Sequence, residues 1–434
     1  MRIVAKDISN AAREKPSEEV EVKGWVHRIR ELGGITFVIL RDRSGILQLV
    51  LENPPDITPE TLIRAVGLPA LNEKAPGGVE VKVHSLECIS KPIGDLPYQV
   101  NGDPAKIGIE AILDHRVLSL RNPKIRAIFK VQSTIIEAFA AYFRGQDFTE
   151  IKTSKLVGSG TEGGTELFEV EYFNRKVYLA QSPQLYKQTM VASGLERVFE
   201  IAPAYRAEKH DTPRHLNEYV SMDMEMGFIE SEKDLIEMEK GMLAYIFDEV
   251  ALKNRAELEM YQATVPHAEA VFKAPIVPYE DALKIASAEA AAAKTAGGRI
   301  FDINPEAERF LCDWSLREHG ADLVFVNEFP RRHRPFYTYP LDAARTMSFD
   351  ALFRGLEITT GGRRQHDYNA LLEALPKFGL KPENLEGYLA VFKYGCPPHG
   401  GFAVGCERLT QKILGLSNVK EASLFPRDRK RVAP

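Results

Sequence analysis

Three short stretches of this chain gather residue types suited to holding a polyphosphate. In FEIAPAYRAEKHDTPRHLNEY (199–219), Arg206 and Glu208 are two apart, so a strand would carry them on one face. A polar loop with Arg214 and His215 follows, and VSMDMEM returns as a second strand. A guanidinium grips phosphate oxygens as a fork while the carboxylate orders a neighbouring group. In GGFAVGCERLTQKILGL (400–416), a strand of small residues runs into a helix with Arg408 near its start. Small residues let a ligand lie close, and a helix start favours an anion. In FDALFRGLEITTGGRRQHDY (349–368), Asp350, Glu357 and Thr360 are hard oxygen donors, and Arg364 follows a turn at Gly361–Gly362. Mg²⁺ is held by such donors together with substrate phosphates. Each stretch also has a plainer reading: a charged hairpin tip, tight strand–helix packing, or surface salt bridges.

A fourth stretch, QSPQLYKQTM (181–190), reads as a helix that starts at Ser182–Pro183 and stops at Gly194. Gln184 and Lys187 share one face of it. The strand-like KVYLAQ before it would place an amide and an ammonium at the mouth of a sheet. That pair suits an anion carrying further hydrogen-bonding groups; the alternative is a solvated lysine on a surface helix.

The elements that must position these residues fall into two parts. Over 1–102, EVEVKGWVHRIR, GITFVILRDRSG, ILQLVLEN and VEVKVHSLECIS alternate as strands. The helix-like TPETLIRAVGL interrupts the third and fourth. These runs read as four of the five short strands of a small OB-type barrel, with a helix between the third and fourth. Residues 103–125 read as a connector. From 126 to 434, long amphipathic helices alternate with clusters of strands such as FTEIKTSKLV, RVFEIAPAYRAE and LFRGLEITTGG. The pattern predicts an α+β domain: an antiparallel sheet with flanking helices, and a small insert around 265–325 with little chemistry in it. IASAEAAAAKTAGG (285–298) reads as a surface helix ending at Gly297–Gly298. No GxxxxGK[ST] or GxGxxG follows a strand, so any nucleotide site is of another kind.

The net charge of −5 excludes a wholesale basic coat but not a local basic surface. No apolar run approaches the ~20 residues of a membrane span, and the first residues contain no signal-peptide core. Cys88, Cys312, Cys396 and Cys406 form no CxxC pair, as expected of reduced thiols in a cytoplasmic protein.

Taken together, the Arg206/Glu208 hairpin, the glycine-rich strand with Arg408, and GQDFTEIKTSKLV (145–157) resemble motifs 2, 3 and 1 of the class II aminoacyl-tRNA synthetases. The likeness extends from the barrel to the closing ASLFPRD (422–428). One departure is Ser154, where the family usually has proline. TEGGTELF (161–168) followed by QSPQLYKQ is similar to the archaeal-type aspartyl members. That resemblance implies that Lys187 and Arg364 hold the side-chain carboxylate of L-aspartate. Gln184, Asp223 and Glu162 would lie near its α-amino group. Arg206 would stabilise the α-phosphate of ATP, Glu208 would orient adenine, and Arg408, Arg214 and His215 would hold the γ-phosphate. Glu357 and Thr360, with Asp350 nearby, would hold Mg²⁺. The implied reaction is activation of aspartate to aspartyl-adenylate, then transfer to tRNA, catalysed by positioning and charge neutralisation. A homodimer is implied by the class.

The barrel is expected to read the anticodon. Between Lys23 and Arg43, five Lys/Arg face two acids, with Phe37 among them. Aromatic stacking plus backbone cations is how OB folds hold single-stranded bases. Phe37 and Gln48 match the spacing of a Phe/Gln pair that contacts the central and first anticodon bases in the aspartyl family. His27 and Pro76 match relatives that charge both tRNA(Asp) and tRNA(Asn). The expectation is therefore a relaxed enzyme whose Asp-tRNA(Asn) product needs an amidotransferase partner.

Overall fold

A computed structural model describes residues 2–158, 160, 167–209, 211–293 and 300–433. Glu162 and the expected helix end at Gly297–Gly298 lie outside them. The chain divides into two compact units, Met1–Pro123 and Lys124–Pro434. Among the described residues, no helix is long and apolar enough to cross a membrane.

The first unit is a closed barrel of β1 (Val20–Leu32), β2 (Ile35–Arg41), β3 (Ile46–Leu51), β4 (Leu62–Leu71) and β5 (Val79–Ser90), in the order β1-β2-β3-β5-β4. Val20, Val22, Val38, Leu40, Leu47, Leu49, Val79 and Val81 alternate into its core. The stretch TPETLIRAVGL is not a helix: from Leu62 onward it is β4. Its period is two, with Ile63, Ala65, Gly67 and Pro69 buried. Gly67 allows the close pairing, because a Cβ there would lie 2.1 Å from the Lys82 carbonyl oxygen. The helix that packs on the barrel core is instead Ile8–Glu14, through Ile8 and Ala12. Within 103–125, short helices at Ile109–Asp114 and Arg116–Ser119 fold with this unit.

The second unit opens with the long helix Pro123–Gly145. The stretch after it gives only two short strands, β6 (Thr149–Glu150) and β7 (Leu156–Val157). Between them the chain is held by its neighbour, since the Thr153 amide and hydroxyl both donate to Glu200, at 2.8 and 2.7 Å. β7 joins β8 (Glu169–Tyr172) and β9 (Arg175–Leu179) in a small sheet. The main sheet adds β10 (Arg197–Tyr205), β11 (Glu218–Gly227), β12 (Ile276–Pro278), β13 (Leu323–Asn327), β14 (Ser348–Phe353), β15 (Leu356–Arg364) and β16 (His399–Gly405). Its order is β12-β13-β14-β15-β16-β11-β10-β6, antiparallel except for its outermost pairs, β12/β13 and β6/β10. An α+β architecture follows. The 265–325 region joins this sheet through β12 and the start of β13, which form its edge. In β13, Phe325 faces the main core while Val324 and Val326 pack under the helices Tyr279–Ala292 and Pro305–His319. A strand buried on both faces reads as the continuous apolar run LVFV before Asn327.

Candidate active site

The MDMEM run of β11 does two things at once. Met222, Met224 and Met226 enter the core, and Asp223 and Glu225 point to the opposite face. That face floors a cleft of about 560 Å³. Glu225 lies over β16 only because residue 401 is glycine; a Cβ there would meet the Glu225 carboxylate at 2.3 Å. The small residues at Gly400 and Gly401 thus make room for the chain's own side chains. Ala403 and Gly405 line the open cleft. Gly361 and Gly362 form no turn and lie within β15, where a Cβ on Gly361 would meet Phe349 at 2.6 Å. The strand therefore continues to Arg364.

At one end of the cleft two cations are buried. The Lys187 ammonium donates to Asp223 Oδ1 at 3.1 Å and to the carbonyls of Met224 and Phe402 at 3.3 and 3.4 Å. It lies 3.3 Å from Glu225 Oε2. The Arg364 guanidinium donates to Glu225 Oε1 at 3.0 Å, to the Gly401 carbonyl at 2.9 Å and to Gln184 Oε1 at 3.3 Å. Ser221 Oγ donates to the other oxygen of Asp223. Lys187 is 2% exposed, so it is not a solvated surface lysine. Its helix spans Gln184–Met190, with Pro183 at the cap rather than the first turn, and continues as a π turn to Leu195 in which Gly194 has φ +96°. Burial pushes the Glu225 carboxyl up, but Arg364, Lys187 and His399 together hold it below its ordinary range. Burial drops the His399 imidazole to about 4, so it is neutral at pH 7. Glu225 was not singled out by the sequence reading, although its signal, two residues beyond Asp223 on one strand, was legible.

Toward the other end lie Arg206, Glu208, Arg214, His215, Glu357, Thr360 and Arg408. β10 ends at Tyr205, so Arg206 and Glu208 sit in the loop just past the strand. Arg206 lies over the Tyr219 ring at 6.0 Å. His215 Nε2 is 3.4 Å from Glu208. Arg408 donates to the Glu357 carbonyl at 3.0 Å and to its carboxylate at 3.3 Å, and Thr360 Oγ1 donates to the same carboxylate oxygen at 3.4 Å. The edge region contributes Glu308, which pairs with Arg214 and accepts from the Glu357 amide at 3.0 Å. No spacing in the sequence links Glu308 to this site. Asp350 is buried outside the cleft lining, 2.8 Å from Arg334. Burial raises its carboxyl to about 6. Among the described residues, no group of three His, Cys, Asp or Glu side chains could hold a metal ion.

On the barrel, the register places two rows across one outer face: Arg30–Phe37–Val50–Lys82 and Arg28–Ile39–Gln48–Glu80. Phe37 is half-buried and outside the core cluster. Gln48 donates to Glu80 at 2.9 Å, and Glu80 also accepts from Asn72 at 2.7 Å. The Asn72 amide donates to the Gly78 carbonyl, so the Pro76–Gly78 turn is tied to the same cluster. His27 is the extra residue of a β-bulge between Val26 and Arg28, with Nδ1 3.0 Å from Arg41 Nη1.

The family profile described as tRNA synthetases class II (D, K and N) matches residues 108–429, and an OB-fold nucleic acid binding domain profile matches 20–89. The chain belongs to the class II tRNA synthetases. A Deinococcus radiodurans relative named Aspartate--tRNA(Asp/Asn) ligase is 45% identical, covering 97% of this chain and 98% of its own. One from Pyrococcus horikoshii named Aspartate--tRNA(Asp) ligase is 40% identical and covers 96% of each. The synthetase also superposes on the solved asparaginyl-tRNA synthetase of Pyrococcus horikoshii complexed with asparaginyl-adenylate. The TM-score is 0.89 at 29% identity, over 100% of both chains.

Proposed function

We propose that this synthetase activates L-aspartate with ATP and transfers it to both tRNA(Asp) and tRNA(Asn). The observation that carries the amino-acid choice is the charge count at the Lys187 end. Lys187 and Arg364 are balanced by Asp223 and Glu225. A bound amino acid adds an α-ammonium, which Asp223 and Gln184 receive. A side-chain carboxylate restores neutrality by sitting against Lys187 and Arg364. With the α-carboxylate taken up by Arg206, asparagine leaves one uncompensated positive charge at the Lys187 end and lysine leaves two, where desolvation makes imbalance costly. The names of curated relatives 45% identical to this chain support the same substrate.

The α-carboxylate then points along the cleft toward Arg206, where its oxygen attacks the α-phosphorus and pyrophosphate leaves. Arg206 neutralises charge on the crowded phosphorus, and Glu208 orders the adenine. Arg408, Arg214 and His215 receive the distal phosphates. Glu357 and Thr360 would hold Mg²⁺ against those phosphates, which suits an ion that takes one or two protein oxygens. The ion supplies charge neutralisation there. Asp350, paired with Arg334, sits on the same sheet face directly across from Thr360 and braces that position. Phe37 and Gln48 stack on and hydrogen-bond the anticodon, and His27 and Pro76 admit either third base. Asp-tRNA(Asn) then requires an enzyme that amidates the esterified aspartate. Two copies associate through 145–157. The test is amino-acid-dependent pyrophosphate exchange. Aspartate supports it and asparagine does not; exchange with asparagine alone refutes the charge argument.

A further inference from the structure

The loop between β10 and β11 carries Arg206, Glu208, Arg214 and His215, yet much of what fixes it comes from the end of the chain. Lys420 is 6% exposed. Its ammonium reaches Asp211 Oδ1 in the loop at 2.8 Å and Asp428 Oδ2 in the closing segment at 2.6 Å. Asp428 is itself pinned, its other oxygen accepting from the amides of Lys430 and Arg431 at 2.7 and 2.9 Å. Backbone bonds flank the bridge: the Val419 amide donates to the Pro213 carbonyl at 2.9 Å, and the Asn217 amide to the Arg427 carbonyl at 2.8 Å. Lys420 sits in a turn fixed by an Asn418 capping box. The bridge therefore grips the loop midway between Glu208 and Arg214, the residues that face opposite ends of a bound nucleotide.

We propose that Lys420 is a positioning residue for ATP: the Asp211–Lys420–Asp428 bridge holds the 206–217 loop with Glu208, Arg214 and His215 turned into the cleft. This rests on the ATP reading of that loop. Lys420 touches no substrate in this account. A buried cation between two carboxylates contributes through geometry more than through net stability. Without it the loop must be ordered by the nucleotide itself, which weakens ATP and leaves the Lys187 end of the cleft untouched.

The experiment measures Mg–ATP affinity by calorimetry, without amino acid, on the full chain. It compares wild type with Lys420→Met, Lys420→Arg, Asp211→Asn and the Lys420→Met/Asp211→Asn double variant. Pyrophosphate exchange gives KM for aspartate as the second readout. Lys420→Met should weaken ATP about tenfold, within the range of a directly coupled pair, with KM for aspartate unchanged. Lys420→Arg should recover most of the loss, and the double variant should be no weaker than Lys420→Met alone. A folded Lys420→Met with normal ATP affinity, equal losses for both substrates, or fully additive effects would overturn the proposal. Should Lys420→Met fail to fold, Asp211→Asn opens the same bridge from its more exposed end; absence of the ATP-selective loss there also overturns it. A wild type that binds Mg–ATP but exchanges with another amino acid overturns the aspartate reading and leaves the ATP comparison intact.

Discussion

Replacing Lys187 by leucine isolates the charge argument. The substitution keeps the side-chain bulk and removes one of two buried cations. Glu225 keeps Arg364 while Asp223 loses its ion pair and keeps the Ser221 hydroxyl, so the site carries a net negative charge before substrate arrives. A substrate carboxylate bound where the ammonium stood would lie roughly 4 Å from an uncompensated carboxylate. At an effective dielectric of about 20 this costs about 4 kcal/mol, or roughly a thousandfold in affinity. Lost donation to the substrate oxygen adds to it. The distal phosphate residues are on the far side of the cleft, so ATP binding should survive. The assays are aspartate-dependent pyrophosphate exchange and calorimetry with Mg–ATP. The variant should lose roughly 10³-fold or more in kcat/KM for aspartate while ATP affinity holds. Exchange within about tenfold of wild type, or a parallel collapse of ATP affinity, would refute the reasoning.

Phe37→Ala removes a half-buried ring from the barrel face between Arg30 and Val50. Loss of one base stack, ~1–3 kcal/mol, should raise KM for tRNA roughly 5- to 150-fold and leave aspartate activation unchanged; a normal KM for tRNA contradicts the anticodon assignment. Glu239 is buried under the sheet, and burial pushes its carboxyl up to about 8. Between pH 4.5 and 8 the native chain therefore holds a proton that the unfolded chain has released, so its contribution to stability falls as pH rises through that window. Glu239→Gln removes this dependence. Its stability relative to wild type should climb from about pH 5 to pH 8, by at most ~5 kcal/mol. Urea unfolding at both pH values checks the sign, and a relative loss on alkalinisation contradicts it.

The site was legible where residue chemistry stands beside strands and small residues. Arg206, Glu208, Glu357 and Arg408 all line one cleft, although Arg206 and Glu208 lie in the loop past β10 and not on one face of a strand. Lys187 was ambiguous, since helical spacing cannot say whether a face meets water or a buried carboxylate pair; its partners lie 36 and 38 positions away. Glu308 and Lys420 were illegible for the same reason, because both act across a tertiary contact. β4 was misread because Leu, Ile, Arg, Ala and Val suit either element, and the deciding fact is close pairing at Gly67. The edge strands β12 and β13 were read as an insert because short apolar runs between helices carry no mark of which sheet they join.

The most direct test of the central claim is charging of unmodified tRNA(Asp) and tRNA(Asn) transcripts with labelled aspartate by the full chain. The account predicts comparable aspartylation of both. Charging of tRNA(Asp) alone would contradict the roles given to His27 and Pro76, and charging of neither would contradict the function itself.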